Sequence, residues 1–221
     1  MEMCRLNIGV IGIAGAWSTE SLSASLARKG AGGQVIQLNE ISYDLASGDV
    51  CSKQQNLNEF DGFIIKKMGA DYSANLLDQL ELLELLERRG VRFFSSPAMI
   101  RRMISRLGCT LRLLDNSIPM PPTFVTEDVD AAVRWVESQG PAILKPLYST
   151  KARGMELLHD GALARQHFNA LQERGEKIIY LQKHYDLSGT DYGLVFMGGE
   201  YIGAYARVGD GSTWHTTTRE G

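Results

Sequence analysis

Apolar and polar positions alternate between two periods along this chain, and the switching points divide it into short strands and amphipathic helices. Residues 6–13 are apolar and β-branched, then Ala14-Gly15-Ala16-Trp17-Ser18 breaks the run, and Ser18 is placed to cap a helix reaching about residue 29. Strands are predicted at 34–38 and 61–66, a leucine-rich helix at 76–89 closed by Gly90, and a further strand at 91–94. Strands alternating with helices of this length predict an α/β fold with a parallel sheet covered on its faces.

After Ser95-Ser96-Pro97 the pattern changes. Pro97 starts a predicted helix to about residue 114, followed by a rigid Ile118-Pro-Met-Pro-Pro-Thr123 segment, so a domain boundary is placed near residue 96. Glu127-Asp128 opens a helix to about 139 with Trp135 on its buried side, and Gly140-Pro141 ends it. Next come a strand through Lys145, a helix over 160–174 closed by Gly175, and strands at 177–183 and 192–197. Gly198-Gly199 is a hairpin turn, with a return strand over 200–207.

Composition narrows the function classes. The 221 residues are 44% hydrophobic and 22% charged with a formal net charge of −3, an ordinary globular balance with no basic arm or zinc-finger spacing, so nucleic acid is not the expected partner. Cys4, Cys51 and Cys109 are isolated and lack metal-ligand spacing, which fits a reducing compartment. The N-terminus lacks a signal-peptide plan and no apolar run reaches the ~20 residues of a membrane span, so the expectation is a cytoplasmic protein without a membrane partner. His159, His167 and His215 form no ligand set by spacing.

Two places carry candidate chemistry. Gly9, Gly12 and Gly15 follow the first strand, but as G-x-x-G-x-x-G with only Glu40 as a loose acidic match, a pattern that tight turns and close helix packing explain better than dinucleotide binding. The stronger place is Pro141-Ala-Ile-Leu-Lys145-Pro-Leu-Tyr, running into Ser149-Thr-Lys-Ala-Arg-Gly-Met155. A lysine on a buried strand stays charged cheaply only if an anion meets it, although a strand lysine also can snorkel to solvent. The small residues Ser149, Thr150, Ala152 and Gly154, with Lys151 and Arg153, suit a cationic lid over phosphates, the alternative being a solvated hairpin.

Lys145-Pro, Arg153-Gly154-Met155, the strand into Leu181-Gln182-Lys183-His184-Tyr185, and Asp191 together resemble ATP-grasp enzymes, most closely the RimK-like glutamate ligases. The likeness runs from about residue 60 onward, with the preceding segment similar to the small Rossmann-like α/β domain that precedes the grasp, giving expected domains of 1–95 and 96–221. What the resemblance implies is a ligase that uses ATP and Mg²⁺ to join a small-molecule or peptide carboxylate to an amine such as glutamate through an acyl phosphate, with homo-oligomerisation left open. It places Arg106 and Lys145 on the nucleotide, Gln182, Lys183, His184 and Tyr185 at the adenine, Asp191 on the ribose, and Arg207 and Arg219 as catalytic groups near the γ-phosphate and acyl group. Arg106 stands where the family has a lysine, and Ser149 and Ala152 where glycines are commoner. The family's Mg²⁺ ligands are expected beyond Gly221, so the chain reads as the front part of an enzyme. A catalytically inactive ATP-binding or scaffold protein is the alternative from another class.

Overall fold

The computed structural model describes residues 6–209, 211 and 214–216. It divides into two compact units, the first running to Cys109 and the second from Thr110.

In the first unit, β1 (Ile8–Ile11), α1 (Trp17–Arg28), β2 (Gly32–Ile36), β3 (Ile41–Tyr43), β4 (Val50–Ser52), β5 (Gln55–Asn56), β6 (Gly62–Ile65), α2 (Asn75–Arg88), β7 (Arg92–Phe94) and α3 (Pro97–Ile104) follow one another. The main sheet has the order β2-β1-β6-β7 and is parallel throughout, as strand–helix alternation demands. Every residue of β1 is buried, which is why it reads as a continuous apolar run rather than an alternating one. On α2, Leu76, Leu80, Leu83 and Leu86 form the buried stripe, and the buried carboxylate of Glu84 accepts from Arg101 Nε at 2.6 Å and Nη2 at 3.1 Å.

For this region two expectations are corrected and one small sheet is added. The N-cap of α1 is Ala16, not Ser18, and no side chain caps it; the backbone N–H of Gly15 instead donates to the Glu20 carboxylate at 2.8 Å. The 41–56 region forms the small antiparallel sheet β3-β4-β5. The single helix expected from Pro97 is two, α3 and α4 (Arg106–Asp115), because Ser105 is extended and its Oγ accepts from Gly108 N–H at 3.2 Å, an N-cap in mid-pattern.

The second unit is built on β8 (Thr123–Thr126), α5 (Val129–Gln139), β9 (Ala142–Leu144), β10 (Glu156–Leu158), α6 (Gly161–Glu173) and β11 (Ile179–Lys183), followed by the hairpin β12 (Thr190–Met197) and β13 (Glu200–Val208). Its four-stranded sheet, ordered β10-β9-β11-β8, is antiparallel. Asp128 and Asp160 cap α5 and α6 by accepting from Ala131 and Leu163 N–H at 3.0 and 2.8 Å. Ala132, Val133, Val136, Ala164, Phe168 and Leu171 from the two helices pack on Ala142, Leu144, Leu158, Ile179 and Leu181 of the sheet. One sheet face is thereby sealed. In the hairpin, Gly198 and Gly199 both have positive φ (61° and 89°), the conformation of a two-residue turn that matches strand twist.

Candidate functional site

Strand alternation decides what the other face of the second sheet presents. Ile143 and Thr123 both lie opposite Gln182, on either side of β11, while Leu144 and Phe124 lie opposite Leu181. Leu144, Leu181 and Phe124 go to the helix side, so Thr123, Ile143, Gln182 and Lys145 share the opposite face. The backbone of Lys145 continues the ladder, donating to Tyr180 O at 3.0 Å. Its half-buried ammonium donates to Gln182 Oε1 at 2.5 Å. The candidate cation thus lies against the 182–185 stretch named with it in the sequence. An amide oxygen supplies a dipole rather than an opposite charge, so the contact holds the ammonium without neutralising it.

Beyond Lys145, the 149–154 segment turns tightly. Lys151 and Ala152 both have φ 56°, and Arg153 N–H donates to Thr150 O at 3.2 Å, closing a turn of the kind that ordinarily takes Gly or Asn. The Arg153 guanidinium folds back on the same residue, with Nη2 donating to Thr150 Oγ1 at 2.9 Å. At the far end Gly154 is left-handed (φ 67°), and a Cβ there would lie 3.1 Å from Pro146 Cγ, so the two ends of the loop approach closely. A left-handed L-residue costs ~1–2 kcal/mol, partly offset in a glycine variant by ~0.5–1 kcal/mol of extra unfolded-chain entropy. Ala152→Gly is therefore expected to stabilise the protein by ~0.5–1 kcal/mol in urea unfolding; destabilisation would show that residue 152 is not held left-handed.

At the end of β11, Lys183 N–H donates to Pro122 O and His184 N–H to Pro141 O, each at 2.9 Å. Both of these backbone N–H groups are thus committed to the fold. The His184 ring meets Trp214 edge-on at 6.2 Å, and Lys183 Nζ lies 5.7 Å over the exposed Tyr185 ring. The contact brings Trp214 to this strand end.

Asp191 and Arg207 face each other across β12 and β13 in a two-pronged pair, Nε to Oδ1 at 2.6 Å and Nη2 to Oδ2 at 2.8 Å. The Arg207 hydrogen bond, helped by Thr216 and opposed by burial, holds the Asp191 carboxyl below its ordinary value of 3.8, and Asp191 raises Arg207. A depressed carboxyl contributes stability above its unfolded pKa and loses it as pH falls through the folded one. Asp191→Asn is thus expected to lower the thermal midpoint at pH 7, with the difference from wild type shrinking as pH drops below 3.8. Because Arg207 is 41% exposed, the effect should be at most about 1 kcal/mol and smaller in 1 M salt. A difference independent of pH would sink the ion-pair account.

Arg106 opens α4 and is assigned to the first unit, and the residues above are assigned to the second. Ser149 is half-buried. Arg219 and Cys4 lie outside the described residues. The glycine loop after β1 is occupied by its own protein. Ala14 N–H donates to Gln37 Oε1 at 3.2 Å and Gly15 N–H to Glu20, placing a carboxylate where a pyrophosphate would have to sit. A Cβ on Gly12 would come within 2.4 Å of Thr19 Cγ2, so close helix packing requires this glycine. Glu40 pairs instead with Lys53 at 3.3 Å. Among the described residues no group of three or more His, Cys, Asp or Glu is placed to hold a metal ion, so no Mg²⁺ ligand is assigned. Among them, too, no helix is long and apolar enough to cross a membrane.

No family model matches the chain. It is 25% identical over 170 residues to the tetrahydromethanopterin:alpha-L-glutamate ligase of Methanosarcina acetivorans, covering 72% of this chain and 52% of that protein. It is 31% identical over 125 residues to the glutathione synthetase of Anaplasma centrale, covering 56% and 39%. Its fold is similar to the crystal structure of a RimK domain ATP-grasp protein from Sphaerobacter thermophilus, with a TM-score of 0.74 and 18% identity over 91% of this chain and 73% of that one. The chain spans about half the length of the curated relatives it matches. These likenesses show an α/β fold of the ATP-grasp kind, similar to that of the RimK domain protein.

Proposed function

We propose that this chain binds ATP and serves an ATP-dependent carboxylate–amine ligation, with 1–95 as the preceding α/β domain and 96–221 as the grasp. The observation that carries the reading is the Lys145 ammonium, held at 2.5 Å by Gln182 on the sheet face opposite the layer formed by α5 and α6. In that half-buried setting its attraction to a phosphate oxygen exceeds the value in open water. The 149–154 turn supplies hydroxyls and backbone N–H groups beside it, and Ser149, Thr150 and Gly154 are the members assigned to the phosphates. Arg106 is assigned to the nucleotide, Gln182 to Tyr185 to the base end and Asp191 to the ribose.

In the reaction, the substrate carboxylate takes the γ-phosphoryl group of ATP, ADP leaves, and the amine nitrogen attacks the acyl carbon and expels phosphate while losing a proton. These residues contribute by positioning and by compensating charge, since phosphate is itself the leaving group. Arg207, oriented by Asp191, and Arg219 are assigned to the transferring group. Glutamate as the amine is supported by the name of the methanogen relative, and a small or peptide carboxylate is its partner substrate.

Calorimetric titration with ATP and Mg²⁺, with NAD as comparison, tests the binding half. ADP release in the presence of glutamate and candidate carboxylates tests the chemistry. Saturable ATP binding with ADP release supports the ligase; binding without release selects the inactive nucleotide-binding alternative; preference for NAD rejects both.

A further inference from the structure

The contact that holds Lys145 depends on which way a side-chain amide faces, and the structure contains a device that decides it. Three bonds run in series across the sheet. Lys145 Nζ donates to Gln182 Oε1 at 2.5 Å, Gln182 Nε2 donates to Thr123 Oγ1 at 3.1 Å, and Thr123 Oγ1 donates to Pro121 O at 2.9 Å. A hydroxyl has one proton to give. The Pro121 carbonyl can only accept, so it takes that proton and leaves Thr123 Oγ1 as an acceptor toward Gln182. Only the NH₂ end of a primary amide can satisfy it, which turns the oxygen end toward Lys145. With the amide reversed, an NH₂ group would face the ammonium and a carbonyl oxygen would face a hydroxyl oxygen whose proton is spent, two mismatches at once.

The acceptor that starts this series is itself fixed. Pro122 keeps Pro121 extended, and the Pro122 carbonyl accepts from Lys183 N–H, pinning the start of β8 to the end of β11. Thr123 also sits directly opposite Gln182 in the ladder, so the two side chains rise from the same face.

We propose that Thr123 is a positioning residue for Lys145, orienting the Gln182 amide so that its oxygen holds the ammonium toward the nucleotide. The proposal rests on the reading that Lys145 meets ATP, but the orientation itself can be tested without nucleotide.

Thr123→Val keeps the β-branched shape and removes the hydroxyl. Competitive acetylation read by peptide mass spectrometry should show Lys145 labelling about threefold faster in this variant relative to Lys177, because its partner is no longer oriented. ATP affinity should fall about fivefold, the equivalent of losing one well-placed hydrogen bond. Thr123→Ser should restore both. In a Gln182→Glu background both ends of residue 182 are acceptors, so Thr123→Val should there leave Lys145 labelling unchanged. A merely structural role for Thr123 would instead carry its effect into that background, overturning the proposal. Unchanged labelling and affinity in Thr123→Val would overturn it as well. If wild type fails to bind ATP while Thr123→Val still frees Lys145, the nucleotide reading falls and the positioning role stands.

Discussion

Lys145→Met is expected to weaken ATP binding about 10–100-fold, with less than about 1 kcal/mol change in folding stability. Methionine keeps the unbranched stem and deletes the charge. The expected loss is that of charge-assisted hydrogen bonds to phosphate, ~1.5–3 kcal/mol in a half-buried setting. Stability should hardly move because Gln182 is also half-buried, so water can take the place of the lost donor at its oxygen. Calorimetric titration paired with urea unfolding separates the two effects. An affinity within twofold of wild type would reject Lys145 as a nucleotide contact and the functional reading with it. A large loss of stability would mean that the lysine is there for the fold.

Local signals were legible in the sequence where one element decides its own structure. Asp128 and Asp160 cap their helices, Gly90 ends α2 with φ 98°, and Gly198-Gly199 turns the hairpin, because each acts through neighbours within a few residues. Two local signals were readable and missed. Ser105 interrupts the 97–114 pattern as a cap, and Thr-Phe-Val-Thr of β8 has the β-branched and aromatic content of a strand, obscured by the prolines before it.

The pairings that make up the site are of another kind. Gln182 meets Lys145 and Thr123 only once β9 and β8 flank β11, which joins positions 37 and 59 residues apart in the chain. Asp191 and Arg207 show how fine the dependence is. Counting outward from the hairpin turn sets Met197 against Glu200 and, in a regular ladder, Asp191 against Ala206. The register shift between Val195 and Phe196 brings Arg207 opposite instead. One extra residue on one strand converts two separately named ligands into an ion pair, and the sequence has no marker for it. Any phosphate that recruits Arg207 must therefore compete with or share the Asp191 carboxylate.

In the second unit the core under α5 and α6 lies on one sheet face and Lys145 on the other, and Phe168→Ala tests the first of them. Phe168 lies fully buried on α6, in one cluster with Leu158 and Leu181 of the strands beneath. Truncating a buried phenylalanine removes its transfer energy and leaves a cavity, an expected cost of ~3–5 kcal/mol, which is a large share of a typical domain's stability of ~5–15 kcal/mol. Urea unfolding should show the loss as a lower midpoint at unchanged slope. ATP affinity measured on the protein that remains folded should stay within about twofold of wild type, since Lys145, Gln182 and Thr123 rise from the opposite face. Combined with Lys145→Met, the two changes should add in stability to within ~0.5 kcal/mol, because no side chain is shared between the faces. Strong coupling, or a Phe168→Ala protein that is fully folded yet unable to bind nucleotide, would show that the helix layer shapes the site and that the division by face is wrong.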